Sequence, residues 1–126
     1  MARILIIEDN DDLRTIVTDA LIAAGHEVIQ AADGVEGIES QRNASADLVI
    51  TDILMPEKEG IETIRDLTRE FPALPIIAMS GAGRSQSANA LPFIAKELGA
   101  HAFLRKPFGS RDLLEAVQKV LERAPG

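Results

Sequence analysis

A chain of 126 residues, 46% apolar and 26% charged, has the size and apolar content of one ordinary domain with a real core. It contains no cysteine, which excludes disulfides, thiolate metal sites and thiol catalysis. A formal net charge of −7, with four Phe as the only aromatics, argues against direct nucleic-acid binding, because phosphates are repelled and base-stacking platforms are few.

The run Ile4–Ile7 has no polar alternation and reads as a strand buried on both faces. The acidic turn Glu8-Asp9-Asn10-Asp11-Asp12 follows, and carboxylates there also suit the N-terminus of a helix. Leu13, Ile16, Val17, Ala20, Leu21 and Ala24 recur at helical spacing on one face, and Gly25 stops that helix. Val28–Ala31 is a short second strand. Asp33 and Glu36 have capping-box spacing and open a second helix through Val35 and Ile38, with Gln41–Ala46 read as a polar loop. Leu48–Thr51 is the third strand and delivers Asp52 at its end, with Met55, Pro56 and Gly60 as turn chemistry beyond it. Ile61, Ile64, Leu67 and Thr68 mark a third helix, ended before Pro72.

Ile76–Met79 is the fourth strand, and Ser80 sits at its end. Gly81–Ala88 is a Gly/Ser-rich loop, not a P-loop, since no Gly-Lys-Ser/Thr follows. The fourth helix begins at Asn89 or Leu91, tolerates Pro92 in its first turn and stops at Gly99. Ala102–Leu104 is the fifth strand, followed by Arg105-Lys106-Pro107. Ser110 is read as the cap of a fifth helix carrying Leu113, Leu114, Val117, Val120 and Leu121, and Ala124–Gly126 as a frayed end. No apolar run is long enough to span a bilayer, and Arg3, Glu8 and Asp9 leave no room for a signal-peptide core. A soluble cytoplasmic protein is expected. His26 and His101 have no partner at metal-ligand spacing and are expected at the surface.

Five strands alternating with five helices predict an α/β fold, a doubly wound parallel sheet covered on both faces. Ligands of such sheets bind outside the carboxyl ends of the strands. The strand-end residues Glu8, Asp9, Asp52, Ser80 and Lys106 should therefore meet at one edge. Two carboxylates about 4 Å apart repel by roughly 1 kcal/mol in water and about 4 at an effective dielectric of 20. Three together call for a cation, and an oxygen-only donor set favours Mg2+. Asp52 can then attack phosphorus as a carboxylate, while Lys106 and Ser80 meet the phosphoryl oxygens.

This ordered set, with Lys106-Pro107-Phe108 after the fifth strand, resembles the receiver domain of two-component response regulators over essentially the whole chain, 1–126, taken as a single domain. The resemblance implies a CheY-like, flavodoxin-like sheet of order 2-1-3-4-5 and phosphotransfer to Asp52 from a histidine kinase or histidine phosphotransfer protein. It implies Mg2+ held directly by Asp9, Asp52 and the backbone carbonyl of Leu54, and by Glu8 through a water. Lys106 and Ser80 would hold the phosphoryl group, and Phe103 would turn inward as Ser80 moves. The family often has a cis peptide before the proline matching Pro107. No catalysis is implied beyond the protein's own phosphotransfer and autodephosphorylation. The switch implies an output face on the fourth helix, fifth strand and fifth helix, with Leu91, Phe93, Arg105 and the outer side of Ser110–Arg123. That face is also a candidate homodimer surface, and the downstream target is unspecified.

The chain departs from the family pattern at Glu8, where Asp is commoner, at Ser80, where Thr is, and at Phe103, which lacks a hydroxyl. The segment between Ser80 and Lys106 is also longer than expected, the excess falling in Gly81–Ala88, where Arg84 is a candidate to reach the phosphoryl group. A haloacid-dehalogenase-like aspartyl-phosphate phosphatase would need a general-acid Asp at position 54, where this chain has Leu54. A flavodoxin-like electron carrier would need a Ser/Thr/Gly-rich first loop, and this one is acidic. A binding module independent of phosphate would have no use for the acid, hydroxyl and lysine set.

Overall fold

The computed structural model describes residues 1–53, 59–80 and 91–123, the side chains of 59, 91 and 92 excepted. The elements run β1 (Arg3–Ile7), α1 (Asp11–Ala23), β2 (Glu27–Ala31), α2 (Gly34–Ala44), β3 (Leu48–Asp52), α3 (Glu59–Glu70), β4 (Ile76–Ser80), α4 (Leu91–Leu98), β5 (Ala102–Arg105) and α5 (Ser110–Arg123). All strand pairs are parallel, in the order β2-β1-β3-β4-β5. This is the doubly wound sheet that the alternating pattern predicts.

The absence of alternation in the strands has a direct cause. Helices cover both faces, so every residue of β3 and β4 is buried, whereas edge strands β2 and β5 keep exposed positions. Side-chain alternation divides the core into two layers. Leu5, Ile7, Val49, Ile76 and Ala78 pack with Ile64, Leu67 and Ala95, the side of α3 and α4. Ile4, Ile6, Leu48, Ile50, Ile77 and Met79 pack with Val17 and Leu21 of α1 and with Leu113, Val117 and Val120 of α5.

Local chemistry sets the helix ends. Asn10 caps α1 by accepting the Leu13 N–H, and Asp33 caps α2 by accepting the Glu36 N–H at 2.8 Å. Gly25 and Gly99 follow α1 and α4 with φ of +93° and +109°, a region that L side chains rarely adopt.

The structure corrects several details. Residues 41–44 are helical, not loop, because Gln41 is buried and its side-chain amide pairs both ways with the backbone of Ala46. Ile16 and Val35 are exposed instead of facing the core. The buried stripe of α1 is Val17, Thr18 and Leu21, and Ile16 lies about 100° round the helix from Val17. Thr18 Oγ1 is buried in that stripe with no hydrogen-bond partner among the described residues. Ser110 is the first residue of α5, not its cap: the Leu113 N–H goes to the Gly109 carbonyl. His101 is exposed as expected but His26 is partly covered, and each ring's Nδ1 accepts a backbone N–H, from Ile76 and Ala2 respectively.

Candidate functional site

Strand register brings the acidic residues together. Ile7 lies beside Thr51, so Glu8 follows β1 on the same level as Asp52, and Asp52 lies beside Met79. By alternation Asp52 falls on the face of Ile50, and Glu8 on the face of Ile6, the α1/α5 side. Lys106, two positions after Leu104, reaches that side as well. Its Nζ donates to Glu8 Oε1 and to Asp52 Oδ2, both at 2.6 Å. The two carboxylates are almost wholly buried, Glu8 at 0% and Asp52 at 4% exposure. The Lys106–Pro107 peptide is cis, and the Lys106 N–H donates to the Ser80 carbonyl at 2.8 Å.

Asp9 completes the cluster from the solvent side. It is exposed, yet a carboxylate oxygen from each of Glu8, Asp9 and Asp52 lies within 4.8 Å of the others. A side-chain hydrogen bond with Glu8, reinforced by partial burial and the Glu8 charge, holds the Asp9 carboxyl above its ordinary value of 3.8. Burial disfavours the Lys106 ammonium, but its hydrogen bonds to Asp52 and Glu8 outweigh that and raise it above 10.5. Three carboxylates against one ammonium leave an excess of negative charge. With oxygen donors only and one ligand open to solvent, the set fits a hard divalent cation that keeps part of its water.

Ser80 ends β4 on the other face. Alternation puts it with Ile76 and Ala78, and it is 2% exposed. Phe103 pairs with Ala78 in register and is partly buried against the same α3/α4-side core. Ser80 and Phe103 thus share one side of the sheet, and Glu8, Asp52 and Lys106 the other. Gly60, in the first turn of α3, packs on the strand end itself: a Cβ there would lie 2.5 Å from the carbonyl oxygens of Asp52 and Ile53.

The structure therefore brings Glu8, Asp9, Asp52 and Lys106 into one cluster and sets Ser80 at the same sheet edge. The expectations for Leu54, Met55, Pro56, Gly81–Ala88, Arg84, Asn89 and Ala124–Gly126 lie outside the described residues, as do those for the side chains of Leu91 and Pro92. Sequence reasoning missed Arg14, whose Nη1 donates to the Glu8 carbonyl at 2.7 Å. A lone arginine on a helix gives no spacing signal of such a contact. A groove of about 480 Å³ lies elsewhere, between α5 and the β4–β5 edge, lined in part by Pro75, His101, Ala102, Ala116, Lys119 and Arg123.

Residues 4–118 match the family model described as response regulator receiver domain. The chain is 36% identical to the chemotaxis protein CheY of Bacillus subtilis, over 94% of this chain and 97% of that one. It is 35% identical to the sensor kinase CckA of Brucella abortus, over 97% of this chain but 13% of the kinase. Among solved structures, a response regulator receiver domain protein from Clostridium thermocellum superposes with a TM-score of 0.87 at 30% identity, covering 98% of this chain and 96% of that one. The chain spans 51% of the length of the CpxR transcriptional regulatory proteins it also matches.

Proposed function

The chain belongs to the response regulator receiver domain family of two-component signalling, and we propose that it accepts a phosphoryl group on Asp52 from a histidine kinase or a histidine phosphotransfer protein. The observation that carries this reading is the Lys106 ammonium bridging Glu8 and Asp52 at 2.6 Å each, at the carboxyl edge of a parallel sheet. Asp52 Oδ attacks phosphorus, the phosphorus–nitrogen bond of the donor phosphohistidine breaks, and an aspartyl phosphate forms. Lys106 turns its ammonium from the Asp52 carboxylate to a phosphoryl oxygen. Ser80, buried at the end of β4, donates its hydroxyl to another. Phe103 then moves into the space beside Ser80. Hydrolysis of the same acyl phosphate resets the protein, which performs no other catalysis.

Asp9 and Asp52, with the Leu54 carbonyl, would hold Mg2+ directly, and Glu8 would do so through a water. When bound, Mg2+ offsets the charge of the carboxylates and of the transferring phosphoryl oxygens. Residues 1–126 act as one receiver domain in the cytoplasm, with no contact to nucleic acid. The output is a changed protein-binding surface on α4, β5 and α5, where Phe93 is 67% exposed and Arg105 is exposed. A downstream protein, or a second copy of the chain, docks there.

Acetyl phosphate with Mg2+ should add one phosphoryl group, seen by intact mass spectrometry. No adduct on the wild type, or the same adduct on Asp52→Asn, would overturn the reading.

A further inference from the structure

We propose that Arg14 is a positioning residue for the acidic pair Glu8 and Asp9, acting through the peptide that joins them; this rests on the metal-assisted phosphoacceptor reading above. The Glu8 N–H extends the β1–β2 ladder by donating to the Ala31 carbonyl at 3.0 Å. β1 ends at Ile7, so the Glu8 carbonyl lies past the last paired residue of the strand. Arg14 meets that carbonyl from α1, with Nη1 at 2.7 Å. The rest of the guanidinium is fixed too. Nη2 donates to Asp11 Oδ1 at 2.6 Å and Nε to Gln30 Oε1 at 3.3 Å, and the side chain is 17% exposed. The Arg14 N–H also closes the first turn of α1 on the Asn10 carbonyl at 2.9 Å.

Both polar groups of Glu8's backbone are therefore held, one by β2 and one by α1. That sets the plane of the Glu8–Asp9 peptide, and with it the directions in which the two side chains leave the backbone. Glu8 goes inward to Lys106 and Asp9 outward to solvent. The guanidinium charge is matched by Asp11, so it does not compete with a cation for Asp9. A planar fork with donors in three directions does this, and a lysine ammonium at the end of a flexible stem does not.

The test titrates Mg2+ calorimetrically into the full chain as wild type, Arg14→Met and Arg14→Lys, well below each melting temperature. Initial rates of phosphorylation by acetyl phosphate are then followed against Mg2+ concentration. Arg14→Met should bind Mg2+ about tenfold more weakly, as expected for loss of a group that orients metal ligands. Its rate at saturating Mg2+ should stay within about twofold of wild type, since the reacting atoms are untouched. Arg14→Lys should recover little of the lost affinity. Wild-type affinity in folded Arg14→Met, or a lower saturating rate with unchanged Mg2+ dependence, would overturn the proposal. Should Arg14→Met fail to fold, Gln30→Ala and Asp11→Ala each withdraw one partner and should weaken Mg2+ binding by about threefold. Unchanged affinity in both would overturn it equally. A wild type that binds no Mg2+ would sink the functional reading and this proposal together, whereas normal binding by wild type and variants alike sinks only this one.

Discussion

Asp9 carries a conflict that the rest of the site does not resolve. Its protonated form is favoured by the hydrogen bond it can give to Glu8, by partial desolvation and by the Glu8 charge, so its carboxyl is held above the ordinary 3.8. A raised acid costs stability once it ionises. The cost is absent below 3.8, grows as pH rises through the window between that value and the raised one, and is complete above it. Lys106 has the opposite sign: its contribution is whole below 10.5 and is lost only as pH rises through its raised value. Asp9→Asn should therefore melt higher than wild type at neutral pH in a chelating buffer, with the difference vanishing below 3.8. Mg2+ should reverse the order. At a hundredfold excess over its dissociation constant a ligand adds about 2.7 kcal/mol, which wild type gains and Asp9→Asn largely forgoes. Thermal melts of both proteins across pH, with and without Mg2+, check this, and a wild type more stable than Asp9→Asn throughout the chelated series would contradict it.

At the scale of elements, α3 is seated on the site by its first turn. Gly60 lets the helix backbone approach the carbonyls of Asp52 and Ile53, and a Cβ at 2.5 Å from both oxygens would force the helix or the strand end to move. Gly60→Ala should destabilise by about 1–3 kcal/mol, as overpacking against backbone does. It should also slow phosphorylation of Asp52 beyond what the stability loss accounts for. Urea unfolding and acetyl phosphate kinetics measure the two separately, and wild-type values in both would mean that the contact is accommodated. How far the elements were legible follows from the same physics. Apolar runs and punctuation gave all five strands to within a residue at each end, because buried parallel strands have no alternation to misread. Faces of helices were harder. Ile16 and Val35 look like core residues by type, but only the packing angle on the sheet decides which residues of a broad apolar stripe are buried, and it buries Thr18 in place of Ile16. Gln41 read as loop because its polarity carries no sign that one backbone, Ala46, would satisfy both ends of its amide. Glu8, Asp9, Asp52 and Lys106 were legible as a cluster because strand ends converge by topology, whereas the Arg14 contact depends on a rotamer.

At the scale of the molecule, the sheet separates the acid–lysine cluster from Ser80 and Phe103. Glu8, Asp52 and Lys106 meet on the α1/α5 side, while Ser80 and Phe103 lie on the α3/α4 side, and β4 and β5 join the two through the register Ala78–Phe103 and Ser80–Arg105. The Lys106 N–H to Ser80 carbonyl bond at 2.8 Å ties the strand ends that carry the two groups. Among the described residues, Ser80 places a buried hydroxyl at the end of β4, between the acidic cluster and the surface with Phe93 and Arg105. If that hydroxyl carries the coupling, Ser80→Ala separates modification from output. Phosphorylated wild type should shift backbone NMR resonances along α4, β5 and α5 as well as near Asp52. Phosphorylated Ser80→Ala should keep the shifts near Asp52 and lose most of those on α4 and β5. The loss of one charge-assisted hydrogen bond, about 1.5–3 kcal/mol, is enough to move a two-state equilibrium by one to two orders of magnitude. A Ser80→Ala protein whose α4 and β5 resonances still move as in wild type would show that the sheet carries the signal by another route.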